Sequence, residues 1–293
     1  MVGRSNKTPP RRLPVWDESE DTSEASEESS QSKLSNEQEI QTIPLEVRQQ
    51  VDKANPKERC LIENVSPYLA VEYVYYMPRR LSAMDDMLTC LEYYWGIKYL
   101  TLSLDTPCNI FRVGASLHTM FDDYMWMLVP EEDVIIQFLS SLSKHGNKWY
   151  ATREGFPKFQ NTSFKYRFAP ISAEMKAITV LRQNDITTNV QPSDVTVHLY
   201  PFQTLPLLES HLRPEFVIFE AGRRMQRLQD LINSLMPISQ EATLGVTSLL
   251  NEIKTQWPIS DKIQRIYQAW TRRLDLDYIL ALPEFNPPSE EER

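Results

Sequence analysis

An α+β fold is the class this sequence predicts, on three observations. β-favouring runs cluster at residues 59–76 and 164–200, while apolar residues at helical spacing fill residues 214–274. Glycine is also too scarce for the phosphate cradles of doubly wound α/β proteins, with 7 in 293 residues and no G-x-G. Hydrophobic residues make up 41% and charged residues 24%, an ordinary balance for a folded chain that holds one large domain or two small ones.

Residues 1–42 are rich in Ser, Glu, Pro and Thr and poor in aliphatics. Such a segment buries too little surface to offset its ordering entropy, so a disordered, acidic Ser/Glu-rich tail is expected, able to dock protein partners. Nine acidic and five basic residues among the first 40 supply -4 of the net charge of -9. The rest is therefore mildly acidic, which does not advertise nucleic-acid binding, because phosphate contact needs clustered Lys and Arg. Residues 43–236 are expected to form one α+β domain with an appended sheet, residues 237–285 helices packed on it, and residues 286–293 a second loose end.

Order begins near Ile43, where Pro44 suits the first position of a short helix over residues 44–53. Residues 59–63 and 70–77 read as two strands joined by a turn, with Pro78 ending the second. Ser82 with Asp85 reads as a capping box for a helix whose apolar face is Met84, Met87, Leu88, Leu91, Tyr94 and Trp95, closed by Gly96. A loop, a short strand over residues 109–113 and a short helix over residues 115–121 follow. Pro130 opens the next helix, with Glu131, Glu132 and Asp133 in the first turn, where the helix dipole favours acids. Residues 164–168, 176–181 and 194–200 are expected to be strands of one small sheet. Three helices end the chain: residues 214–235, one capped by Ser239 and one capped by Ser260.

The three cysteines, Cys60, Cys90 and Cys108, are odd in number and form no CxxC pair, which fits reduced thiols in an intracellular protein. No apolar signal segment opens the chain and no run is long enough to span a bilayer, so a cytoplasmic or nuclear protein is expected, neither secreted nor membrane-bound. There is no P-loop, no G-x-S-x-G elbow and no H-E-x-x-H. Of the four histidines, His145 lies in a polar loop, His198 in a β pattern and His211 at a helix start, all positions that suit structural or solvated roles. The arginines at 223, 224 and 227, and the basic residues 262, 265, 272 and 273, read as solvated helix faces.

His118 stands apart. Asn109 precedes it with eight residues between, Phe121 and Asp122 follow it, and upstream Pro78 has Tyr75 three residues before it. This arrangement resembles the HNH motif, and the chain is similar to HNH-nuclease-like proteins of mushroom-forming fungi. Blocks around Trp95, Leu104, Trp126, Tyr166, Tyr200, His211 and Pro214 extend the resemblance over roughly residues 58–225. The resemblance implies a ββα unit, with the small sheet and the helical C-terminal part added to it. It implies one divalent metal, a base histidine on the hairpin, a metal-ligating histidine on the helix and an asparagine that fixes the intervening loop. By matched position His118 is the metal ligand, Asp122 one helical turn on is a second ligand, Asn109 is the loop-fixing residue, and Tyr75 stands where the base histidine belongs.

Tyrosine ionises near pH 10, so only about 0.1% is phenolate at pH 7. The resemblance therefore implies an HNH endonuclease-like protein with impaired catalysis. Mg, Mn, Ni or Zn and DNA are its cofactor and partner if the site works, and neither if it does not. Glu72 and Asp123 are the carboxylates that could replace the base, although strand alternation puts Glu72 on the face opposite Tyr75. The alternative is a non-enzymatic interaction or scaffold protein that keeps the ββα unit only for folding. The sequence sets no oligomeric state.

Overall fold

The computed structural model describes residues 43–55, 58–145, 148–184 and 190–273. The two expected tails and residues 274–285 lie outside the described residues. The class is mixed α+β, as expected.

Helix α1 (Leu45–Ala54) follows Pro44, which is its N-cap and not its first residue. Strand β1 (Val71–Tyr75) pairs antiparallel with β2 (Ile110–Gly114), in a register that sets Val71 against Gly114 and Tyr75 against Ile110. Between them lie a 3-10 turn at Arg79–Ala83 and α2 (Asp85–Tyr94). The expected Ser82 cap is not formed. Ser82 is taken up in the 3-10 turn, and α2 starts from Met84 without a side-chain cap. Helix α3 (Ala115–Asp122) leaves β2 directly from Gly114.

The strand expected at residues 59–63 is a turn instead. Cys60 Sγ accepts the backbone N–H groups of Glu63 (3.2 Å) and Gly114 (3.3 Å), and Asn64 sits in the left-handed region at φ 54°. These bonds use donors that a ladder would need.

Strand β3 (Trp126–Pro130) is buried at every position, which hides it from any search for alternation. Pro130 ends this strand, and α4 (Glu132–Ser140) begins after it. The ribbon β4 (Leu142–His145) with β5 (Lys148–Ala151) follows, so His145 ends a strand. The three middle strands do not form one sheet. β6 (Phe164–Pro170) lies between β3 and β9 (Leu208–Ser210), whereas β7 (Thr179–Gln183) and β8 (Val195–Leu199) pair only with each other.

Helices α5 (Pro214–Leu235), α6 (Gln240–Gln256) and α7 (Ser260–Trp270) pack together as expected. Ser239 caps α6, its hydroxyl accepting the Ala242 N–H at 3.2 Å. Ser260 does not cap α7. It is the first helical residue, 1% exposed, and its hydroxyl has no partner among the described residues. Gly222 is where α5 meets α7, and a Cβ there would lie 2.3 Å from Cβ of Tyr267.

The core falls into a helical cluster around Trp95, Phe138, Phe216 and Trp270 and an aromatic cluster behind the β1–β2 ribbon. In the second, Tyr76 meets Phe121 (5.3 Å between centroids), Phe121 meets Trp126 (4.8 Å) and Trp126 meets Phe168 (5.0 Å). Burying each such ring contributes about 1.5–3 kcal/mol, so this chain of contacts fixes α3 against both the ribbon and the three-stranded sheet.

Candidate functional site

The β1–β2 ribbon has two unlike faces. Val74 packs with Leu117 and Phe121 of α3, while Tyr73 and Tyr75 pack with Ile43 and Val51 around α1. Alternation therefore turns Glu72 toward α3 and Tyr75 away from it.

His118 lies on the α3 side. Its Nδ1 is 2.6 Å from Glu72 Oε2, a contact that needs the proton on Nδ1, and its Nε2 is 3.4 Å from Asp122 Oδ2. The imidazole thus has a carboxylate at each end. Glu72 and Asp122 are both well exposed, so the set sits at the surface and not in a cleft.

Tyr75 lies on the α1 side. Its hydroxyl donates to Asp105, which also meets the Arg79 guanidinium at 3.0 Å. Burial, and then the Asp105 carboxylate, raise the phenol well above the ordinary tyrosine range. A group so hard to deprotonate does not act as a base at neutral pH. The structure does not bring Tyr75 to His118.

Asn109 is fully buried and holds the chain at the far end of the ribbon. Its Oδ1 accepts the Met77 N–H at 2.8 Å, and its Nδ2 donates to the carbonyls of Met77 (2.9 Å) and Leu104 (3.1 Å). One side chain thereby joins the end of β1 to the loop that enters β2.

A divalent ion at His118 would have Nε2 and Asp122 as protein donors, with Glu72 orienting the ring from Nδ1. Zinc sites use three or four protein ligands. No group of three or more His, Cys, Asp or Glu residues suited to a metal occurs among the described residues. The described residues supply Nε2 of His118 and the Asp122 carboxylate, fewer donors than a zinc site uses.

The other titratable candidates are structural. His211 donates from Nε2 to the Ile110 carbonyl at 2.9 Å, and burial lowers its pKa despite that bond. His198 is buried, with Nδ1 2.9 Å from the Thr204 hydroxyl. The Cys60 thiol is pushed up to about 12 by burial and by the nearby Glu63 carboxylate, so it stays protonated and unreactive.

Arg224 corrects the expected solvated face. It is 2% exposed and donates to Glu220 (2.8 Å) and to the carbonyls of Phe121 (2.7 Å) and Trp126 (3.1 Å). Glu220, fully buried, also accepts from Arg223 at 2.6 and 2.7 Å. The sequence reading missed Tyr124, on which Arg80 and Arg223 converge; only its place just after the motif pointed to it.

No family model, curated protein or solved structure matches this chain. Among the described residues no helix is long and apolar enough to cross a membrane.

Proposed function

We propose that this chain is a non-enzymatic derivative of the HNH endonucleases, in which β1, β2 and α3 stand as the ββα unit and are kept for folding and partner binding. The observation that carries the reading is the pair of carboxylates on His118. Glu72 and Asp122 take its two ring nitrogens, while Tyr75, in the place of the base, is held by Asp105 on the opposite face of the ribbon. Asn109, in the loop-fixing place, makes bonds that serve folding alone.

The test is calorimetric titration of the full chain with Mg²⁺, Mn²⁺, Ni²⁺ and Zn²⁺, repeated on His118→Ala. The expected result is no saturable binding, with the substitution changing stability only. Specific binding that His118→Ala abolishes would overturn the reading and return the chain to the metal-dependent nucleases.

A nucleic-acid-binding reading is separated by titrating short duplex and single-stranded DNA at several salt concentrations. Affinity that falls steeply with salt supports it, because bound phosphates displace counterions. We expect no such binding.

A further inference from the structure

Tyr124 follows α3 in the left-handed region, at φ 60°, where its N–H donates to the Phe121 carbonyl at 3.0 Å and the Met125 N–H donates to the Met120 carbonyl at 2.9 Å, closing the helix. Four arginines gather around its side chain. Arg80 donates to the phenol oxygen at 3.0 Å and Arg223 at 3.4 Å. The guanidinium of Arg227 lies 4.0 Å from the ring centroid and that of Arg224 4.8 Å. Glu220 neutralises part of this charge through Arg223 and Arg224. Arg80 and Arg227 are exposed, and neither has a carboxylate partner among the described residues.

Among the described residues the phenol oxygen receives from Arg80 and Arg223 and its hydrogen meets no acceptor. Burial raises the Tyr124 pKa, but the bond and charge of Arg223 and the charge of Arg80 outweigh it, and the phenol sits below the ordinary tyrosine value. Arg80 and Arg223 thus meet the phenol oxygen while Arg224 and Arg227 lie over the ring, a gathering of guanidinium groups whose chemistry suits an oxyanion.

A cavity of 420 Å³ opens beside this cluster, lined in part by Tyr124, Arg224 and Arg227. Its apolar wall is Ile171, Leu228, Leu231, Val246 and Leu249, and Asp123 and Glu174 stand on its rim. The volume is that of a small-molecule site. The two rim carboxylates limit the net positive charge, which suits an organic anion of one or two charges more than a polyanion.

Gly245 gives a second, independent indication. It lies inside α6, where glycine costs about 1 kcal/mol relative to alanine, and a Cβ there would meet nothing within 4 Å. Packing within the chain does not call for a glycine. Its bare backbone lines the cavity and leaves the space open.

We propose that this cavity binds a small amphiphilic anion, with a phosphoryl or carboxylate head held by Tyr124 and Arg227 and an apolar body lying along Leu228, Val246 and Leu249 past Gly245. The proposal is independent of any role for His118, so the two stand or fall separately.

The test is calorimetric titration of the full chain at low salt with octyl phosphate, octanoate, phenyl phosphate and inorganic phosphate, repeated on Arg227→Gln and Gly245→Phe. The first variant removes an exposed charge, and the second fills the cavity from an exposed helix position. A melting curve confirms that each is folded. The expected result is saturable binding of at least one organic anion, tighter than inorganic phosphate by tenfold or more and weakened by tenfold or more in both variants. The tightest ligand identifies the head and the body. The proposal is overturned if no organic anion binds saturably, if inorganic phosphate binds as tightly as the organic anions, or if either folded variant binds like the unaltered chain.

Discussion

Asn109 holds Met77 from both sides, accepting its N–H at 2.8 Å and donating to its carbonyl at 2.9 Å. The amide does for Met77 what a neighbouring strand would do. Replacing it with alanine strands two backbone carbonyls and one N–H in the interior. Each unsatisfied group costs about 1–3 kcal/mol, so Asn109→Ala should lose at least about 2 kcal/mol in urea denaturation. A loss below 0.5 kcal/mol (about the noise of such a measurement) would show that water or a shifted loop replaces the amide.

Restoring the histidine of the motif should not restore chemistry. In Tyr75→His the new imidazole would face Asp105 and the α1 side, away from His118. We expect no cleavage of plasmid DNA with Mg²⁺, Mn²⁺, Ni²⁺ or Zn²⁺. Metal-dependent nicking by this variant, absent from the parent, would mean that the two faces of the ribbon do act together.

Gly222 sets how close α5 and α7 can come. A methyl group there would lie 2.3 Å from the Tyr267 Cβ, backbone-anchored atoms that cannot rotate away. Overpacking of this kind typically costs about 1–3 kcal/mol, and the better helix propensity of alanine returns at most about 1 kcal/mol. Gly222→Ala should lower the melting temperature, and a rise would place the two helices further apart than described.

The pH dependence of stability should carry the mark of His211. Burial lowers its pKa in the folded chain, so below the unfolded value of about 6.5 the unfolded chain binds the extra proton more readily. The contribution of neutral His211 is therefore complete above about pH 6.5 and is lost as pH falls from there through the folded pKa. Unfolding free energies measured at intervals from pH 7.5 to 5 should decline more steeply in the parent than in His211→Gln. Parallel curves would contradict this assignment.

The legible parts of this chain were those with local causes. The helical spacing from Phe216 onward, the Ser239 cap and the step from β2 into α3 were readable because neighbouring residues decide them. The turn at residues 59–63 was not, since Cys60 collects N–H bonds from Glu63 and from Gly114, far along the chain. Strand β3 gave no alternation because both its faces are covered. At the candidate site, alternation placed Glu72 opposite Tyr75 correctly. Which of the two faces α3 would cover depends on tertiary packing, and that is what separated Tyr75 from His118.

Tyr76 joins β1 to β3 in a way that bears on how this protein keeps to itself. Its hydroxyl accepts the Leu128 N–H at 2.8 Å and donates to the Leu128 carbonyl at 3.2 Å. Leu128 lies on β3, which ends the three-stranded sheet, and these two backbone groups point outward from it. They are the groups onto which a foreign strand would add. The phenol takes up that pair inside the fold, so a side chain next to the ribbon closes the border of a strand that is buried at every position.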